Sequence, residues 1–277
     1  MDKTEALVTP QLIQWARQRF YPNLVLAAEK LSVSPDKLSS WERGDERPTF
    51  RQAQSLAQKL HIPFGYLFLP TPPSEQLPLP DFRSVSIAQK SSPSPDFIEL
   101  LNDVLRKQEW YKEYQENEGA DPVPFIGRFT SNTDPERVAA DIRETLGVND
   151  EMRQSTENWE QFLRNFIHKS EAAGVLVLRS SIVKNDTHRP LNVQEFRGFA
   201  ISDKLAPVVF INGQDAKAAQ IFTLAHELAH LWVGQSAISN PDYTRRSSQQ
   251  DPIDRFCDQV AAETLLPKQD LLFYWKD

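Results

Sequence analysis

Apolar residues in this chain recur mostly at helical spacing, in short blocks that open on a capping side chain and often a proline. Thr9-Pro10 begins a block with Leu12, Ile13, Ala16 and Phe20 on one side. A second block, Leu24 to Leu31, breaks at Ser32-Val33. Ser34-Pro35 starts a third that runs to Trp41, and Thr49 to Leu60 forms a fourth. Ser94-Pro95-Asp96 precedes a long helix, Phe97 to about Glu116, with Phe97, Ile98, Leu100, Leu101, Val104, Leu105 and Tyr111 as its core stripe. Asp134-Pro135 opens another to Leu146, stopped by Gly147, and a further one spans 157–173. Only three stretches are continuous and β-rich: Val175 to Leu178, Phe196 to Ile201 and Pro207 to Ile211. The pattern predicts an α+β chain, mostly helical with one small sheet.

One block lacks the polar face that the others have. From about Ala216 to Val233 the chain has no Pro or Gly, with Asp215 as the expected N-cap and Gly234 as the stop. Ala218, Ala219, Ile221, Phe222, Leu224, Ala225, Leu228, Ala229, Leu231 and Trp232 leave almost no solvent side, so this helix is predicted to be buried. Within it His226 and His230 are four apart and share a face, with Glu227 one residue further round, in the pattern H-E-x-x-H. Two core histidines and a surface carboxylate would be the bland alternative. It fails on the surroundings, because an unpaired buried carboxylate costs several kcal/mol. A divalent ion removes that cost, taking both imidazoles as ligands and placing a water beside Glu227.

Composition narrows the setting. The 277 residues suit two domains, and no stretch of eighteen apolar residues or basic-then-apolar start suggests a span or a secretory signal. A cytoplasmic protein with no membrane partner is expected, and the single cysteine, Cys257, fits a reducing compartment. The net charge of −7 opposes a chain built to coat nucleic acid, but residues 1–60 hold nine Lys/Arg against seven Asp/Glu. Only that segment could meet DNA. Seven of the twenty prolines fall between Pro70 and Pro95, which favours extended backbone over helix. The expected division is therefore 1–69, a Pro-rich linker over 70–96, and 97–277. The linker's Leu79 and Phe82 are apolar enough to pack.

A third ligand must complete the metal set, since hydrolytic zinc sites usually combine three protein ligands with one water. No histidine follows His230. Asp251-Pro252 opens a helix, Ile253 to Leu266, ended by Pro267, that carries Asp254 and Asp258 at i and i+4. Such a pair can supply one ligand and one acceptor that orients a ligand histidine, or can be two solvated charges in the first turns. His188, His168 and Cys257 are the other possibilities, and spacing does not choose among them.

A family resemblance does. Phe222 to His230, together with Phe196-Arg197-Gly198-Phe199-Ala200, Pro207 to Asn212 and Asp254 to Pro267, resembles the ImmA/IrrE metallopeptidase family over roughly 170–267. That family's late helix reads Glu-x-x-(Ala/Cys)-Asn with Glu as third ligand. Here Asp254 and Asp258 stand at those two positions. The resemblance implies a gluzincin-like zinc endopeptidase: Zn2+ on His226, His230 and Asp254, Glu227 as general base, and Asp258 behind a ligand histidine. Tyr243 and His188 are candidate oxyanion donors. It also implies limited cleavage of a repressor- or antitoxin-like protein in a stress response.

Ala28 to Ser34, the Trp41-Glu42-Arg43-Gly44 run and Pro48 resemble the XRE helix-turn-helix family, a common fusion partner of such peptidases. Ser32 stands where the family's turn usually has Gly, and the helix after Pro35 offers Asp36, Lys37, Ser39 and Ser40 rather than base-reading Arg, Gln or Asn. A transcriptional regulator or toxin-antitoxin component, whose metal domain senses or scaffolds, is the competing function.

Overall fold

The computed structural model describes residues 4–73, 93–239 and 251–274. The chain divides into two compact units, Met1–Gln76 and Leu77–Asp277. Most of the Pro-rich stretch, with Leu79 and Phe82, lies outside the described residues, as does Tyr243.

In the first unit four short helices, α1 (Pro10–Phe20), α2 (Leu24–Leu31), α3 (Pro35–Arg43) and α4 (Phe50–Lys59), precede a 3-10 turn at Phe64–Phe68. Their ends are written locally. Asn23 accepts the amides of Val25 and Leu26, Ser34 accepts that of Lys37, and Thr49 and Gln52 form a reciprocal capping box. Ser32 adopts the left-handed conformation at the end of α2 (φ 60°) despite its side chain. Lys59 Nζ steadies that turn, bonding Leu31 O and Ser32 Oγ at 2.9 Å each.

Leu12, Ile13 and Ala16 enter the core with Leu38 and Trp41, but Phe20 is only half-buried. Arg17 takes the place in the interior expected of an apolar residue. Its guanidinium grips Glu42 of α3 at 2.6 and 3.1 Å and bonds the carbonyls of Tyr21 and Pro22. Four hydrogen bonds thus offset the desolvation of a buried cation.

The second unit is built around a four-stranded sheet. Its described elements are α5 (Pro95–Asn117), α6 (Pro135–Leu146), α7 (Asp150–Gln154), α8 (Trp159–Ala172), β1 (Leu176–Ser180), β2 (Ile182–Val183), β3 (Asp186–Pro190), β4 (Gly198–Ile201), β5 (Val208–Asn212), α9 (Lys217–Trp232), β6 (Ala237–Ser239), α10 (Pro252–Leu265) and α11 (Lys268–Tyr274). The strand order is β1-β5-β4-β6, with β1 parallel to β5 and the other pairs antiparallel. Strand alternation splits the core. Phe199, Ile201, Val208, Phe210 and Ile238 pack with Phe97, Leu100, Leu101 and Val104 of α5, while Ala200, Val209 and Ile211 pack on the other side with α9.

The short β2–β3 hairpin was not predicted, being too polar and too brief to show in the apolar pattern. It turns at Lys184 and Asn185, both with positive φ, and is tied to α5 by charge. Lys184 meets Glu99 at 2.6 Å, and the buried Arg189 pairs with Glu99 at 2.7 Å and with Asp96. Among the described residues no helix is long and apolar enough to cross a membrane.

Candidate metal centre

Helix α9 is enclosed on nearly every side, by the sheet and by α6, α8 and α10. Every residue from Thr223 to Trp232 is buried. Its ends depart slightly from expectation. Asp215 does not cap the helix through its second or third turn amide; it accepts the Ala216 amide at 2.8 Å and pairs with Arg197 at 3.0 Å. Gly234 follows the helix with φ +71° and lies against Gly127, where an added Cβ would meet the Gly127 Cα at 2.9 Å. At the same end Trp232 donates its indole N–H to Asp141 of α6 at 2.7 Å.

The H-E-x-x-H residues use two faces of α9. His226 and His230 face α10, with their Nε2 atoms 3.1 Å apart. Asp254, in the first turn of α10, brings Oδ1 to 3.6 Å from His230 Nε2. The ligand atoms of His226, His230 and Asp254 all lie within 4.8 Å of one another. One turn along α10, Asp258 Oδ1 sits 2.8 Å from His226 Nδ1. A carboxylate there accepts the Nδ1 proton, which leaves the Nε2 lone pair directed at the cluster. The shorter Asp at position 254 still reaches the group.

Glu227 turns instead toward the sheet. It is fully buried, and neither carboxylate oxygen completes a hydrogen bond. Burial pushes its pKa up to about 8, against the lowering influence of His226 and of the Ser239 hydroxyl. Asp254 is also raised by burial, to about 6, with Asp251 and Asp258 adding repulsion and His226 opposing. Burial drives His230 well below the usual imidazole range. His226 is subject to the same burial, but the hydrogen bond it donates to Asp258 and the nearby acids prevail and raise it.

These residues fit a divalent ion on their own chemistry. Two imidazole nitrogens aimed at one point, a carboxylate beside them, a second carboxylate fixing one ring, and an orphaned Glu227 are destabilising together without a cation. His188 on β3 and His168 on α8 are exposed, and burial raises the Cys257 thiol far above its ordinary value within the apolar core. Among the described residues, none of these three joins the metal-ligating group.

Sequence reasoning passed over two residues beside Glu227. A Cβ on Gly198 of β4 would lie 2.5 Å from Thr223 Cγ2 and 2.9 Å from both Glu227 Oε1 and Phe210 O. A glycine inside an apolar strand is the signal that would have flagged such a close approach. Ser239 on β6 carried no signal.

Residues 170–277 match the Peptidase_M78 family, described as an IrrE N-terminal-like domain. The matched segment begins in α8 and contains the whole sheet, α9 and α10, and the match points to a domain of metallopeptidase type. Neither a curated protein nor a solved structure matches the chain.

Proposed function

We propose that the chain is a zinc-dependent endopeptidase acting on a specific regulatory protein of repressor or antitoxin type, coupled to an amino-terminal helix-turn-helix domain. The observation that carries the reading is the buried, unpartnered carboxylate of Glu227 beside three convergent donors. A purely structural metal site has no use for it. A divalent ion, when bound, supplies Lewis acidity that acidifies water and polarises the scissile carbonyl.

In this reading His226, His230 and Asp254 hold the ion, and Asp258 fixes the tautomer of His226. Glu227 takes the proton of the attacking water and returns it to the leaving amine. Substrate adds as an extended strand at a sheet edge, read through its backbone.

The regulator reading draws on residues 9–69, and the α3 surface speaks against base recognition. Arg43 is engaged by Asp45 at 2.7 Å and Ser39 at 2.5 Å, and Ser40 donates to the Asp36 carbonyl. Those side chains are occupied within the domain. The test is to incubate zinc-loaded wild type and Glu227→Gln with the product of the adjacent gene and to follow new termini by mass spectrometry. The expected result is cleavage by wild type alone and full metal retention in the variant. Cleavage by both removes Glu227 from the mechanism, and cleavage by neither favours the regulator.

A further inference from the structure

Ser239 and Gly198 are register partners in the β6–β4 pair. Both point to the α9 side of the sheet: Ala200, two residues beyond Gly198, packs with α9, whereas Ile238, next to Ser239, packs on the α5 side. The Glu227 carboxylate is seated over Gly198, with Oε1 at 2.9 Å from where a Cβ would stand. Ser239 is 2 % exposed, and its backbone is fixed by the Arg197 amide, which donates to its carbonyl at 2.9 Å. Its Oγ and both Glu227 oxygens are buried without a completed hydrogen bond, on the same side of the sheet at paired positions. A rotation about the Ser239 side chain satisfies the hydroxyl and one of the two carboxylate oxygens.

We propose that Ser239 is the positioning residue for Glu227: its hydroxyl donates to one carboxylate oxygen and fixes the rotamer in which the other is left for the attacking water. This rests on Glu227 being the proton acceptor. Gly198 contributes by having no side chain, which lets the carboxylate descend to the level of the β6 hydroxyl. An ionised carboxylate only accepts, so a donor on the sheet side is the group it lacks.

The test uses full-length protein with 13C-carboxyl glutamate, metal-free and zinc-loaded. Infrared difference spectra against Glu227→Gln isolate the Glu227 carboxylate bands. Ser239→Ala and Ser239→Val are expected to shift those bands and Ser239→Thr to preserve them, because Thr and Val add the same bulk and only Thr keeps the hydroxyl. Hydrogen exchange of the α9 amides provides a second measure. In zinc-loaded protein Ser239→Ala is expected to accelerate it about tenfold or more where Glu227 is intact, as loss of a hydrogen bond to a charged group requires, and to have no effect in a Glu227→Ala background. Unshifted bands in Ser239→Ala, or equal acceleration in both backgrounds, overturn the proposal. Shifted bands in a protein that cleaves nothing leave the Ser239 contact standing and count against the peptidase reading alone.

Discussion

Replacing Glu227 by Gln in metal-free protein probes the energetic cost of the site directly. The carboxylate rises from 4.5 to about 8 on folding because it is wholly buried. At ~1.36 kcal/mol per unit, that rise makes the ionised form about 5 kcal/mol less compatible with the fold than an exposed carboxylate. The folded state binds the proton more tightly, so this cost is absent below pH 4.5, grows as pH rises, and levels off above pH 8.

The amide does not titrate. Glu227→Gln is therefore expected to stabilise the α9 region by about 3 kcal/mol at pH 7, by nearly 5 at pH 8.5, and hardly at all at pH 4.5. Zinc should shrink the difference, since a cation beside the carboxylate offsets its desolvation. Hydrogen exchange of the α9 amides, measured with chelator across that pH range and again with zinc, gives the local free energy. A stability difference that does not change with pH would refute the argument, because it would place the effect in packing rather than in charge.

Further outcomes are expected from the same geometry. Asp254→Ala should raise the zinc dissociation constant well beyond the 10- to 100-fold typical of a supporting residue, whereas Asp258→Asn should stay within about that range; Asp254→Glu should retain zinc. Titration of the three variants against a zinc chelator checks this, and an Asp254→Ala that binds like wild type removes that residue from the ligand set. In the first unit, Arg17→Ala should cost about 3–5 kcal/mol by leaving Glu42 buried and unpaired, and a urea melt that moves by less than 1 kcal/mol would show the pair to be dispensable. If residues 9–69 engage DNA, binding to the chain's own promoter should weaken steeply between about 50 and 200 mM salt, as counterion release demands. A shift assay with no complex at low salt would point to a protein partner instead.

Much of this molecule is legible along the chain because its signals are local. Asn23, Ser34, Thr49 and Asp134 bond amides two or three residues away, so helix starts follow from neighbours alone. The single helical turn between His226 and His230 likewise places both rings on one face whatever surrounds them. Spacing within 251–266 put Asp254 and Asp258 on one side of a helix but left open whether that side met solvent or α9. Only the packing of α10 against α9 decided it, bringing Asp258 to His226 and Asp254 to His230. The same holds for Arg17, whose burial depends on Glu42 from another helix, and for Gly198 and Ser239, which reach Glu227 through strand register. Sequence fixes what a residue can do within a turn or two; which groups meet across the chain is set by side-chain packing and sheet pairing, and the chemistry around Glu227 is made of such meetings.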